Sequence, residues 1–72
     1  MFELDSKTIR SLMLEKQMTL RDLARAATIT ETTAARLSRD GARANARTTG
    51  KLAKALDCEP EQLLKSGEPR DQ

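Results

Sequence analysis

Arg21, Arg36, Arg39, Arg43 and Arg47, together with the hydroxyls of Thr19, Thr30, Thr32, Thr33 and Thr48, are the side chains of this chain best suited to chemistry. A guanidinium holds five donors in a planar fork that matches phosphates and carboxylates. A hydroxyl both donates and accepts. That is the chemistry of recognition through hydrogen bonds, not of bond making. For catalysis the chain offers little: it has no His, no Tyr, no Gly-rich loop and no Cys pair. Paired carboxylates could do acid–base work, but they need a cleft of roughly 300 Å³ or more. A helical domain of 72 residues is not expected to enclose one, so no enzymatic activity is expected. Cys58, the single cysteine, has no evident basic neighbour to activate it and is expected to act as a small hydrophobe. Without Cys or His clusters no metal site is expected, and nothing implies another cofactor.

The charge is unevenly spread. Residues 16–54 carry nine Lys and Arg against three acids, +6, while residues 1–15 sum to −1 and residues 55–72 to −3. A basic middle between acidic ends points to an anionic partner. Single-stranded nucleic acid and RNA are usually held by stacking aromatics. Phe2 is the only aromatic residue here, so a base-stacking platform is excluded. No apolar run approaches the ~20 residues of a membrane span. The N-terminus lacks the basic and apolar regions of a signal peptide, and a lone cysteine fits a reducing compartment. A cytoplasmic protein is expected.

The elements that must position these side chains are short helices. The apolar fraction is 38%, nearly all Leu, Ile, Met and Ala, which suits closely packed helices rather than a sandwich. Ile9, Leu12 and Met13 form one stripe, with Asp5 or Ser6 as its cap and Phe2 and Leu4 placed to staple back onto it. Thr19 caps a second helix, with Leu20, Leu23, Ala24 and Ala27 on one face. After a break at Thr28-Ile29, Thr30 caps a third helix over 30–39, and Gly41 stands as its closing glycine. Asn45 caps a fourth, in which Leu52, Ala53 and Leu56 face inward. Gly50 weakens that helix by roughly 1 kcal/mol, which suggests a close approach there. Pro60 opens a fifth short helix anchored by Leu63 and Leu64. The domain is expected over 1–66, with a flexible tail over 67–72.

Two short helices joined by a three-residue turn, the second capped by a hydroxyl, make a helix-turn-helix. Here the stretches MTLRDLARAATITETTAARLSR and DGARANARTTGKLAKALDCEPEQLL resemble the Cro/XRE-type helix-turn-helix family of phage repressors and bacterial transcriptional regulators. The likeness covers about Ile9 to Leu64. It implies an all-α, compact five-helix domain, lambda-repressor-like, with the third helix lying in the major groove of double-stranded DNA. By position, Thr30, Glu31, Thr32 and Arg36 resemble the base-reading set, with Thr33 a possible addition. Arg36 could bond guanine bidentately, and Glu31 could accept from cytosine. Thr19, Arg21, Arg39, Arg43, Asn45, Arg47 and Thr48 look like backbone contacts. Thr19, Thr30 and Asn45 would be helix caps in any fold, and Arg36 could instead pair with Glu31, or Asp22 with Arg21 or Arg25.

Three positions depart from the family pattern. Leu20 stands where a glutamine is usual, Thr28 where the turn usually has glycine, and Ala44 near a frequent proline. Thr28 must therefore adopt a positive φ or reshape the turn. The resemblance implies a DNA-binding regulator, a repressor by preference, acting as a homodimer on an inverted repeat. Leu56, Leu63 and Leu64 are the candidate dimer surface, although they could equally close the core. No sensory domain or small-molecule effector is evident. The competing reading is a protein-interaction module, such as an antitoxin or a regulator's partner, favoured by the exposed acid Glu31 and the absent glutamine at position 20.

Overall fold

In the computed structural model, which describes residues 1–65, the chain runs β1 (Phe2–Glu3), α1 (Ser6–Glu15), α2 (Leu20–Ala27), α3 (Glu31–Leu37), β2 (Arg43–Ala44), α4 (Ala46–Leu56) and a 3₁₀ helix (Pro60–Leu63). The expected tail over 67–72 lies outside the described residues. Each α-helix begins where a short polar side chain can satisfy orphan amides. The Asp5 carboxylate accepts from the amides of Lys7 at 3.1 Å and Thr8 at 3.4 Å. The Thr19 hydroxyl accepts from Asp22 N, and the Asp22 carboxylate accepts in return from Thr19 N, a reciprocal capping box. Thr30 caps α3 through Thr33 N at 3.1 Å, and Asn45 caps α4 through Thr48 N at 2.8 Å.

The helix ends follow a rule that carries no glycine signature. Gln17, Thr28 and Asp57 all take left-handed backbone, with φ of 55°, 59° and 58°. In each case the next amide bonds back five residues: Met18 to Met13 O, Ile29 to Ala24 O, and Cys58 to Ala53 O, each at 2.9 Å. This is the Schellman closure. Met18, Ile29 and Cys58 then pack onto the core, and that burial holds a non-glycine residue in an unfavourable region.

Gly41 departs from its expected role. Helix α3 stops at Leu37, and Ser38 caps it, its hydroxyl donating to Ala34 O at 2.9 Å. Gly41, at φ +80°, shapes the later turn into β2.

The largest fully buried side chains are Leu4, Ile9, Leu23, Leu37, Leu52, Leu56 and Leu63. Ala24, Ala27, Ala34 and Ala53 fill the gaps between α2, α3 and α4, where a larger residue would hold the backbones apart. Leu56 and Leu63, at 0% exposure, belong to this core and cannot form the proposed dimer surface. Leu64 is half-buried against the core. Met13 fills the core as a methionine should, whereas Met1 is 81% exposed.

Two expectations about architecture need correction. The described residues hold four α-helices, not five, since Pro60–Leu63 closes only a 3₁₀ turn. The chain must return to extended backbone at Leu64 to bridge Leu4, which leaves no length for a full α-helix. Nor is the fold purely α. Phe2 pairs with Ala44 and Glu3 with Arg43, antiparallel, and Leu4 N donates to Ala42 O at 2.9 Å. Leu4 is buried in one cluster with Ile9 and Met13 of α1, as a staple beside the Asp5 cap requires, while Phe2 pairs in this short sheet. They run in an arm whose other edge is tied by Asp5 N to Leu63 O at 2.7 Å and Lys65 N to Glu3 O at 3.0 Å.

A Cβ added at Gly50 would meet no heavy atom within 4 Å, so no neighbour in the chain presses on it. Gly50→Ala is therefore expected to stabilise the domain by about 0.5–1 kcal/mol. The gain would be read as a higher urea midpoint at unchanged slope; a lower midpoint would show that the methyl meets something.

Candidate nucleic-acid interface

The helix-turn-helix forms because α2 carries small residues where α3 crosses it. Ala24 and Ala27 are buried, and from the other side Ala34 and Leu37 are buried at 0% and 1% exposure. Ile29 in the turn is half-buried between them. The opposite side of α3 has nothing to pack against, and Glu31, Thr32 and Arg36 stand exposed on it. Helix α3 spans Glu31–Leu37, shorter than the expected 30–39. Arg39 accordingly leaves the helix and lies in the turn toward β2.

Thr30 and Thr33 are brought together. The Thr30 hydroxyl accepts from Thr33 N and donates to the Thr33 hydroxyl at 2.8 Å. Thr30 thus has its hydrogen engaged within the protein, whereas the Thr33 hydroxyl keeps a hydrogen to donate outward. Asn45 uses its carbonyl oxygen on Thr48 N, which leaves its amide NH₂ as a donor at the start of α4. Thr19 has both its amide and its hydroxyl oxygen occupied in the capping box, so its first role is the cap. Arg21, Arg39, Arg43 and Arg47 are exposed, and Thr48 is half-buried. Leu20, where the family usually has glutamine, is half-buried against the core.

Among the described residues, the ion pairs take Arg10, Lys16 and Lys65. Arg21, Arg36, Arg39, Arg43 and Arg47 have no carboxylate of the described residues within 4.0 Å. Arg36 therefore does not pair with Glu31, nor Asp22 with Arg21 or Arg25. The Asp22 carboxyl is held below its usual range first by the Thr19 amide and then by the Thr19 hydroxyl; Arg25 and Arg21 contribute from a distance. Exposed guanidinium groups without a carboxylate partner among the described residues offer an external anion several charge-assisted donors.

Burial and the neighbouring Glu59 and Asp57 push the Cys58 thiol above its ordinary range. That leaves it protonated and unreactive near neutrality, as expected of a small core-side hydrophobe.

Thr28 resolves the ambiguity of the turn by taking the left-handed conformation, φ 59° and ψ 47°. A β-branched residue there costs about 1–2 kcal/mol. Glycine would remove that strain but would lose about 0.5–1 kcal/mol to the unfolded chain's freedom. Thr28→Gly is thus expected to leave stability equal or higher by up to ~1 kcal/mol, read in a urea melt. A clear loss would mean that Thr28 makes a stabilising contact of its own.

Sequence reasoning missed one group. Ser6, Arg10, Ser38 and Asp40 meet at the end of α3. The Ser6 hydroxyl donates to the Asp40 carboxylate, Arg10 Nε donates to Ser38 O at 3.2 Å, and Arg10 lies 3.7 Å from Asp40. Ser6 and Asp40 are 34 positions apart in the chain, so no local pattern could announce them. Beside this group opens a cleft of about 410 Å³ lined by Leu4, Asp5, Ser6, Lys7, Asp40, Gly41 and Lys65. It is larger than expected of so small a domain. Its carboxylates are committed elsewhere: Asp5 caps α1, and Ser6, followed by Arg10, holds Asp40 below its usual range. An acid–base role near neutrality would need the opposite shift.

No relative is found among curated proteins. The fold is similar to the crystal structure of the restriction-modification controller protein C.AhdI from Aeromonas hydrophila, with a TM-score of 0.74 at 25% sequence identity, covering 82% of this chain and 89% of that one. A family profile described as the Cro/C1-type HTH DNA-binding domain matches residues 8–66. With the helix-turn-helix geometry and the match over most of its length, the chain belongs to the Cro/C1-type helix-turn-helix DNA-binding domain family.

Proposed function

We propose that this protein is a sequence-specific double-stranded DNA-binding transcriptional regulator, without enzymatic activity, that acts as a repressor. The observation that carries this reading is the arginine set: among the described residues, Arg21, Arg36, Arg39, Arg43 and Arg47 are exposed without a carboxylate partner, and Arg36 stands on the exposed side of α3. Arg36, Glu31, Thr32 and Thr33 read base edges, with Thr30 chiefly holding the helix start. Arg21, Arg39, Arg43, Asn45, Arg47 and Thr48 hold the sugar–phosphate backbone, with Thr19 as cap. The likeness to a restriction-modification controller protein supports a regulatory role. One such domain contacts few base pairs, so the protein works as a homodimer on an inverted repeat with half-sites about 34 Å apart. Leu56 and Leu63 take no part in that dimer, since both are buried in the core.

Selection from a random duplex library at about 0.15 M salt, where non-specific binding is weak, tests the reading. Recovery of an inverted repeat supports it. Recovery of no motif by a cooperatively folding protein overturns it in favour of a partner-protein module. One observation gives that second reading its footing: Leu14 on α1 is 79% exposed, an apolar side chain outside the basic surface.

A further inference from the structure

We infer that Ser6, Arg10 and Asp40 form a positioning clamp that sets the turn between α3 and β2, and with it the arginines Arg39 and Arg43 that flank Asp40. The inference rests on the DNA-binding reading and deepens it. Asp40 is the puzzle that motivates it. A carboxylate between two backbone-contacting arginines should repel a phosphate, and its side chain is 88% exposed, so its ion pair adds little stability. Its bonding explains its presence. Asp40 accepts from the hydroxyl of Ser6, the first residue of α1, itself only 5% exposed. Arg10, one turn further along α1, spans the same turn: its Nε donates to Ser38 O at the C-terminus of α3, and its Nη2 lies 3.7 Å from Asp40. A cation at that helix end is also favoured by the helix dipole.

The turn is otherwise lightly held. Within it, only Arg39 N to Arg36 O at 3.3 Å and Ala42 N to Arg39 O at 3.2 Å bond backbone to backbone, and Gly41 adds backbone freedom. The remaining tie is the arm, through Leu4 N to Ala42 O and the Glu3–Arg43 pairing. The clamp therefore fixes one end of the turn and the arm fixes the other. Arg39 and Arg43 are presented from backbone whose order depends on residues of α1 outside the proposed DNA-contacting set. These are positioning residues, acting through the turn.

The test uses Asp40→Asn and Ser6→Ala in the full chain, because simple electrostatics and positioning predict opposite signs. Removing a negative charge beside a polyanion should tighten binding, and Ser6→Ala changes no charge at all. Positioning instead predicts that both variants bind a labelled mixed-sequence duplex about tenfold more weakly, with log K against log salt flatter by roughly 0.9 for each arginine released. Amide hydrogen exchange provides a readout without DNA: Arg39 and Ala42 should exchange faster in both variants, while core amides of α2 and α4 keep their protection. Tighter binding by Asp40→Asn with no effect of Ser6→Ala, or unchanged exchange at Arg39 and Ala42, overturns the clamp. If the wild-type protein binds no duplex at any salt, the DNA reading fails. Exchange at Arg39 and Ala42 then decides the clamp alone.

Discussion

Leu56→Ala is expected to lose about 2–5 kcal/mol of stability, the cost of truncating a leucine in a packed core. Leu56 is at 0% exposure on the inner face of α4 and shares one cluster with Leu52, Leu63 and Leu4. A small domain holds roughly 0.05–0.15 kcal/mol per residue, so a loss of this size removes much of the fold's total stability. Urea melts at several protein concentrations would measure it. If Leu56 closes the core, the loss is the same at every concentration. If Leu56 were instead a dimer contact, the loss relative to wild type would itself change with concentration. Leu64→Ala is the internal comparison, since that side chain is only half-buried and its truncation should cost less.

Arg36→Ala and Arg47→Ala should separate base reading from backbone holding. Arg36 is exposed on the outer face of α3, one turn beyond Thr32, with no carboxylate of the described residues within 4.0 Å. Its removal is expected to cost about 1–3 kcal/mol of discrimination at one base position and to leave the salt slope nearly intact. Arg47 lies in the first turn of α4, beyond the Asn45 cap, where free helix amides also favour an anion. Its removal is expected to weaken binding to all sequences and to flatten the salt slope by roughly 0.9. Titrations of each variant against a selected site and a scrambled one, across a salt series, measure both quantities. Identical behaviour of the two variants would sink the division of roles. The slope matters more than the affinity, because affinity alone cannot distinguish a lost base contact from a lost phosphate contact.

Much of the site was legible because its components are local. Asp5, Thr19, Thr30 and Asn45 cap helices through side chains that reach amides only two or three residues away, so each cap is visible in a window of four residues. The helical stripes were visible for the same reason, and the alanines at 24, 27 and 34 marked where α2 and α3 cross. Glu31, Thr32 and Arg36 emerge exposed because the stripe leaves them no other place.

What the tertiary structure alone decided is non-local or masked by residue type. The helix ends at Gln17, Thr28 and Asp57 carry no glycine, and they are left-handed only because Met18, Ile29 and Cys58 gain burial by it. The pairing of Phe2 with Ala44 spans most of the domain, and two-residue strands have no period to detect. It set Phe2 and Leu4 in a short paired arm and left the Pro60 segment only a 3₁₀ turn. Leucine is apolar whether it meets its own core or a second subunit, so only burial could assign Leu56 and Leu63 to the interior. Asp40 showed in the sequence as a lone acid among arginines, and its partners lie on α1, about thirty positions away along the chain. Capping and amphipathic periodicity act over a few residues and are written in order along the chain. Packing and long-range hydrogen bonding depend on which segments the fold brings together, and only the folded chain sets that.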